Sequence, residues 1–143
     1  MSRALFDVNV LLALLDQDHV DHARALEWMI AEADNGWASC AITENGFVRI
    51  ISTPRYPNAV SPYQAMERLA EACDTDYHVY WPCTASLLDD SLVDRSRILG
   101  PRQVTDAYLL ALATHEGGRF VTFDRSVLLI AARGATTDNL VVL

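Results

Sequence analysis

Four carboxylates stand where one regular element hands over to the next: Asp7, Glu44, Asp106 and Asp124. Asp7 closes the apolar run Ala4-Leu5-Phe6, and Glu44 falls in the first turn of a helix that follows Trp37-Ala38-Ser39-Cys40-Ala41. Asp106 opens a nearly apolar helix, and Asp124 ends Arg119-Phe120-Val121-Thr122-Phe123. In a helix-then-parallel-strand unit the start of the helix and the end of the strand lie on one edge of the sheet, so Asp106 and Asp124 are expected to meet. Ligands of open α/β sheets bind at that edge, outside the carboxyl ends of the strands. An acid in the first turn of a helix is by itself ordinary dipole complementation, worth about 0.3–1 kcal/mol. Four acids converging on one place repel and raise one another's pKa values, an arrangement that calls for cations. Oxygen donors alone favour a hard divalent ion, Mg²⁺ or Mn²⁺, over zinc. A carboxylate cluster holding such ions suits hydrolysis of a phosphodiester. No Ser/His/Asp or Cys/His set offers a competing nucleophile.

The elements that must position these acids are legible from periodicity. Tyr108, Leu109, Leu112 and Ala113 make an i, i+3, i+4 stripe, widened by Leu110 and Ala111, in a helix that Thr105 is expected to cap and Gly117-Gly118 to end. Residues 9–15 predict a first helix. A second is capped by Asp18, with Val20, Ala23, Leu26, Met29, Ile30 and Ala33 on its buried side. Thr43 is expected to cap the helix over 44–51, and Ser61-Pro62 to open one reaching about Cys73. Strands are expected at 4–6, 37–41, 78–81, 119–123 and 140–143, and further helices over 87–99 and 126–132. Strands alternating with helices predict a parallel sheet covered on both faces.

The bulk properties narrow the function. At 143 residues and 51% hydrophobic, the chain suits one compact domain, 1–143. No membrane span or signal peptide is expected. Cys40, Cys73 and Cys83, an odd number without a C-x-x-C pair, point to thiols in a reducing cytoplasm. The formal charge of −8 gives no broad basic platform for nucleic acid, though two divalent cations would halve it. All eleven basic residues are arginine. The lack of lysine excludes Schiff-base chemistry and a Walker-type phosphate loop, while arginine still holds phosphates in bidentate fashion.

Four segments resemble, in order and across nearly the whole chain, the acidic motifs of the PIN domain: the run from Leu5 to Leu14 around Asp7-Val8-Asn9; Ile42-Thr43-Glu44 with Phe47-Val48-Arg49-Ile50; Thr105 to Ala111; and Val121-Thr122-Phe123-Asp124-Arg125. The size and the Pro54-Arg55-Tyr56-Pro57 loop look most like the VapC-type toxins of bacterial toxin–antitoxin pairs. The resemblance implies an α/β, PIN-like three-layer α/β/α fold with a central, mostly parallel sheet of about five strands. It implies a Mg²⁺-dependent endoribonuclease (Mn²⁺ also suits the site) cutting structured RNA such as tRNA or rRNA. It also implies a homodimer, silenced by a cognate VapB-type antitoxin. Carried over, Asp7, Glu44, Asp106 and Asp124 are the catalytic, metal-binding acids, with Asp7 and Asp106 the foremost direct ligands. Asn9, Thr105 and Thr122 match the small polar positions beside them.

Arg102 and Arg125 flank the acids and are expected either to touch RNA phosphates or to pair with the acids or with an antitoxin carboxylate; Arg49 and Arg55 stand farther out. His19 and His22 lack a third metal-spaced ligand and read as polar residues at a helix start, and His78 has no evident partner in the sequence. Trp28 and Trp37 are expected in the core or an interface, Trp81 in the core, and Asp89, Asp90 and Asp94 on a solvated helix face. A receiver domain or haloacid-dehalogenase-type phosphatase also gathers acids at strand ends, but both need a lysine. The remaining alternative is a non-catalytic PIN-fold module that binds RNA or protein through the same acids.

Overall fold

The computed structural model describes residues 2–143. Five strands form one fully parallel sheet: β1 (Ala4–Phe6), β2 (Trp37–Ser39), β3 (His78–Tyr80), β4 (Arg119–Thr122) and β5 (Leu140–Val142), in the order β3-β2-β1-β4-β5. Five α-helices accompany them: α1 (Val8–Leu15), α2 (His22–Glu32), α3 (Ala41–Ile51), α4 (Pro62–Cys73) and α5 (Val104–His115). Alternation along the strands builds the layers. Leu5 and Phe120 point into a core shared with α5, whereas Ala4, Phe6 and Val121 point into one shared with α1, α3 and α4. This is the three-layer α/β/α arrangement of a PIN-like fold. No helix among the described residues is long and apolar enough to cross a membrane.

The strand order places the candidate site. β1 and β4 are central neighbours, with Phe6 opposite Val121, so Asp7 and Thr122 emerge side by side at the carboxyl edge. The backbone N–H of Asp7 still bonds the Val121 carbonyl at 2.9 Å, which fixes where its side chain starts. α5 is buried from Ala107 to Ala113, as its all-round apolar sequence predicts, and Gly117 at φ +72° turns the chain from it into β4. α3 crosses close over α1 at Gly46, where a Cβ would stand 2.6 Å from Val8 Cγ2.

Several local expectations are corrected. Residues 87–99 form no α-helix. The Asp89 and Asp94 side chains capture the N–H groups of Ser91 and Ser96 at 2.9 and 3.1 Å, offering the backbone turns in place of a helix. Asp94 also lies near Arg97 and Arg133, at 3.8 and 3.9 Å, so it stands in an ion-pair turn and not on a solvated helix face. Residues 126–132 contribute a single 3₁₀ turn, Leu129–Ala131, and Ala132 pairs antiparallel with Val93. α2 starts at His22, not after Asp18; Val20 lies in the preceding turn and is 92% exposed, Ile30 is 68% exposed, and only Ala25 is fully buried. α3 starts at Ala41 with Cys40 at its cap, while Thr43 Oγ1 reaches back to accept the Cys40 N–H at 3.0 Å. α5 starts at Val104 after the 3₁₀ turn Pro101–Gln103, so Thr105 is an exposed residue of the first turn and not the cap.

Candidate active site

Asp7 is the most constrained of the four acids. It caps α1, is 7% exposed, and accepts the Val8 N–H at 2.7 Å on one oxygen and the Thr122 hydroxyl at 2.8 Å on the other. Burial raises its pKa, the two hydrogen bonds pull it back, and the nearby charge of Asp124 raises it again. Thr122, fully buried, does two jobs: its hydroxyl donates to Asp7 and accepts the Asp124 N–H at 3.0 Å.

Asp106 and Asp124 meet as the topology predicts. Asp106 lies in the first turn of α5, partly buried, and its carboxyl is pushed up to about 7 by burial, then by the charge of Asp7 and the carboxyl of Asp124. Asp124 goes the other way. Its Oδ1 accepts the Ser126 N–H at 2.8 Å and the Ser126 hydroxyl at 2.7 Å, and these bonds hold it below the usual carboxylate range. A raised and a lowered carboxyl side by side mark a place where negative charge is concentrated beyond what the protein's own donors neutralise.

Glu44 stands apart from this trio. Its Oε2 accepts the Ser39 hydroxyl at 2.6 Å, and His78 Nε2 lies 2.8 Å from the same Ser39 oxygen. With the Ser39 proton committed to Glu44, Nε2 is the donor of the second bond. Burial, then Glu44, raises the Cys73 thiol; burial lowers the His78 imidazole, whose ring also packs on Trp37 with centroids 4.4 Å apart. The charges that shift Asp7, Asp106 and Asp124 do not include Glu44. Three of the four expected acids are therefore together, and the fourth is engaged across β2.

The polar neighbours divide similarly. Thr122 is integral to the trio, whereas Asn9 and Thr105 are exposed in the first turns of α1 and α5. Arg49, Arg55, Arg102 and Arg125 are all exposed, and none forms an ion pair with the acids or with any other described residue. Sequence reasoning missed Ser39 and Ser126. Asp124-Arg125-Ser126 carried a signal, because an acid two residues before serine favours an Asx turn. Arg97 was also missed: it lines a small cavity shared with Asp106, Gln103 and Ser126.

The donor set suits a hard ion. Asp7, Asp106 and Asp124 present only oxygens, and the repulsion that raises Asp106 is what a cation would relieve. Their oxygens are not crowded into one tight shell; among the described residues the one set of three ligand atoms within 4.8 Å of one another is Glu44, Cys73 and His78. That spread fits Mg²⁺, which usually keeps several waters and takes one or two carboxylates directly.

Comparison with known proteins places the chain in a family. A family model described as the PIN domain matches residues 4–132. Ribonuclease VapC44 of Mycobacterium tuberculosis is 60% identical over 141 residues, covering 99% of each chain. Ribonuclease VapC38 of the same organism is 43% identical over 94% of each chain, and Ribonuclease VapC39 is 42% identical over 92% of this chain and 95% of its own. The chain belongs to the PIN-domain family and, within it, to the VapC type.

Proposed function

We propose that this protein is a Mg²⁺- or Mn²⁺-dependent endoribonuclease, the toxin of a toxin–antitoxin pair, acting on structured RNA such as tRNA or rRNA. The observation that carries the reading is the Asp7–Asp106–Asp124 group, three carboxylates gathered at the carboxyl edge with Asp106 raised to about 7. Membership of the VapC type supports the substrate class, because the relatives carry the name ribonuclease.

In this reading Asp7 and Asp106 would hold the ion directly, with Asp124 and Glu44 acting farther out. A bound Mg²⁺ or Mn²⁺ supplies positive charge that polarises the phosphodiester and acidifies water. The chain's own residues do the positioning. Thr122 and the Val8 N–H fix both oxygens of Asp7, so its orientation is set before substrate arrives. Ser126 holds Asp124 ionised and aimed. Arg102 and Arg125, without an ion pair among the described residues, are available to RNA phosphates close to the acids; Arg49 and Arg55 serve farther along the strand or meet the antitoxin. A VapB-type antitoxin would then silence the enzyme by covering this edge, and a homodimer is the assembly we expect. The whole described domain acts as one unit in the cytoplasm.

The end groups of the products test the chemistry. In-line attack by water with the 3′-oxygen as leaving group leaves a 5′-phosphate and a 3′-hydroxyl and does not need the ribose 2′-hydroxyl. Products with these ends, and cleavage that survives a 2′-deoxy substitution at the cut site, are expected. A 2′,3′-cyclic phosphate formed in the presence of EDTA would contradict the assignment.

A further inference from the structure

We infer that Glu44, Cys73 and His78 form a second metal site, chemically distinct from the aspartate group, that takes a thiophilic divalent cation of the zinc class. These residues come from three elements: Glu44 from the first turn of α3, Cys73 from the last position of α4, and His78 from the first position of β3. One ligand atom from each lies within 4.8 Å of the other two, and the three side chains are neither deeply buried nor fully exposed. Bonds of about 2.0–2.3 Å to one central ion place ligands roughly 3.3–3.8 Å apart, so closure asks for about 1 Å of side-chain movement.

The donor set is the discriminating feature. A thiolate, an imidazole and one carboxylate suit a borderline-soft ion in tetrahedral geometry; Mg²⁺, which demands oxygen ligands, has no use for the sulfur or the nitrogen. Three protein ligands leave a fourth position open. Glu44, Cys73 and His78 also line an open cleft of about 800 Å³ between α3 and α4, whose walls include Val48, Met66 and Leu69. Two surrounding contacts already orient ligands. The Ser39 hydroxyl holds the Glu44 carboxylate at 2.6 Å, and the His78 ring rests on Trp37. Outer contacts of this kind are what fix ligand orientation in built metal sites.

The site shares Glu44 with the ribonuclease reading but none of the three aspartates that carry it, and its test is spectroscopic. Co²⁺ added to the purified full chain is expected to give the near-ultraviolet thiolate-to-cobalt charge-transfer band and the intense visible bands of a four-coordinate ion. Zn²⁺ should abolish both stoichiometrically, and a large excess of Mg²⁺ should leave them. Cys73→Ser should lose the charge-transfer band, while Cys40→Ser and Cys83→Ser retain it. His78→Gln and Glu44→Gln, folded by circular dichroism, should each weaken Co²⁺ binding by about tenfold or more. No thiolate band in the native protein, or a band that survives Cys73→Ser, would overturn the inference.

Discussion

The Thr122 hydroxyl donates to the Asp7 carboxylate at 2.8 Å and accepts the Asp124 N–H at 3.0 Å, so one buried side chain sets the spacing of two acids that stand at the ends of neighbouring strands. Thr122→Val keeps the shape and removes the hydroxyl. It leaves Asp7 without a bond that lowers its pKa and the Asp124 N–H without its acceptor. We expect a loss of about 1–3 kcal/mol in stability, a further rise of Asp7, and weaker Mg²⁺ binding at neutral pH. Thermal melts and Mg²⁺ titration calorimetry check this; unchanged Mg²⁺ affinity would remove Thr122 from the site.

Asp7→Asn should separate stability from function. Burial raises Asp7 because its charge is poorly solvated, and the neutral amide removes that charge at nearly constant volume. The metal-free variant should melt a few degrees higher than the native protein while RNA cleavage falls by at least about a thousandfold. A variant both less stable and active would contradict the assignment.

Acidification should stabilise the metal-free protein. Asp106 sits at about 7 when folded against an ordinary 3.8, so between those values the folded chain holds a proton that the unfolded chain has released. Stability therefore falls as pH rises through that window and is restored as pH falls. Asp7 acts in the same direction; Asp89, Asp94 and Asp124, held low, lose their contribution only below the ordinary carboxylate range. In EDTA the melting temperature should be lower at pH 8 than at pH 6, with the difference much reduced in Asp106→Asn. Mg²⁺ should raise it more at pH 8, above the value of about 7 for Asp106. A pH response identical in native protein and Asp106→Asn would show that Asp106 is not the group responsible.

Gly46 tests the packing that brings α1 and α3 together. A Cβ there would stand 2.6 Å from Val8 Cγ2, so Gly46→Ala should cost about 1–3 kcal/mol despite improved helix propensity. Val8→Ala should recover part of that loss in the double variant, since the two sites share the contact. Denaturant melts of the four proteins of the cycle decide it, and additive effects would count against the contact.

The parts of this structure legible in the sequence are those where one physical signal dominates. The apolar stretch of α5, the short strands at Ala4–Phe6 and Arg119–Thr122, and the meeting of Asp106 with Asp124 follow from periodicity and topology alone. Residues 87–99 depart from the expected helix because Asp89 and Asp94 satisfy the backbone locally at Ser91 and Ser96. Val20 and Ile30 are exposed where periodicity expects burial, because the pattern does not reveal that the helix begins only at His22 and covers little of the core. Glu44 shows the limit for sites. Its position in chain order matches the motif, but its direction is set by Ser39, a hydroxyl on β2 whose reach no spacing rule reveals. His78, partnerless in sequence, finds Ser39 and Trp37 only through the pairing of β2 with β3.

The most direct measurement is cleavage of labelled total tRNA and rRNA by antitoxin-free protein, in Mg²⁺ and in EDTA, alongside Asp106→Asn shown to be folded. Native protein in Mg²⁺ should give discrete fragments that vanish in EDTA and fall by at least about a thousandfold with Asp106→Asn. Fragments that persist undiminished in EDTA or in the variant would contradict a metal-dependent ribonuclease built on these acids.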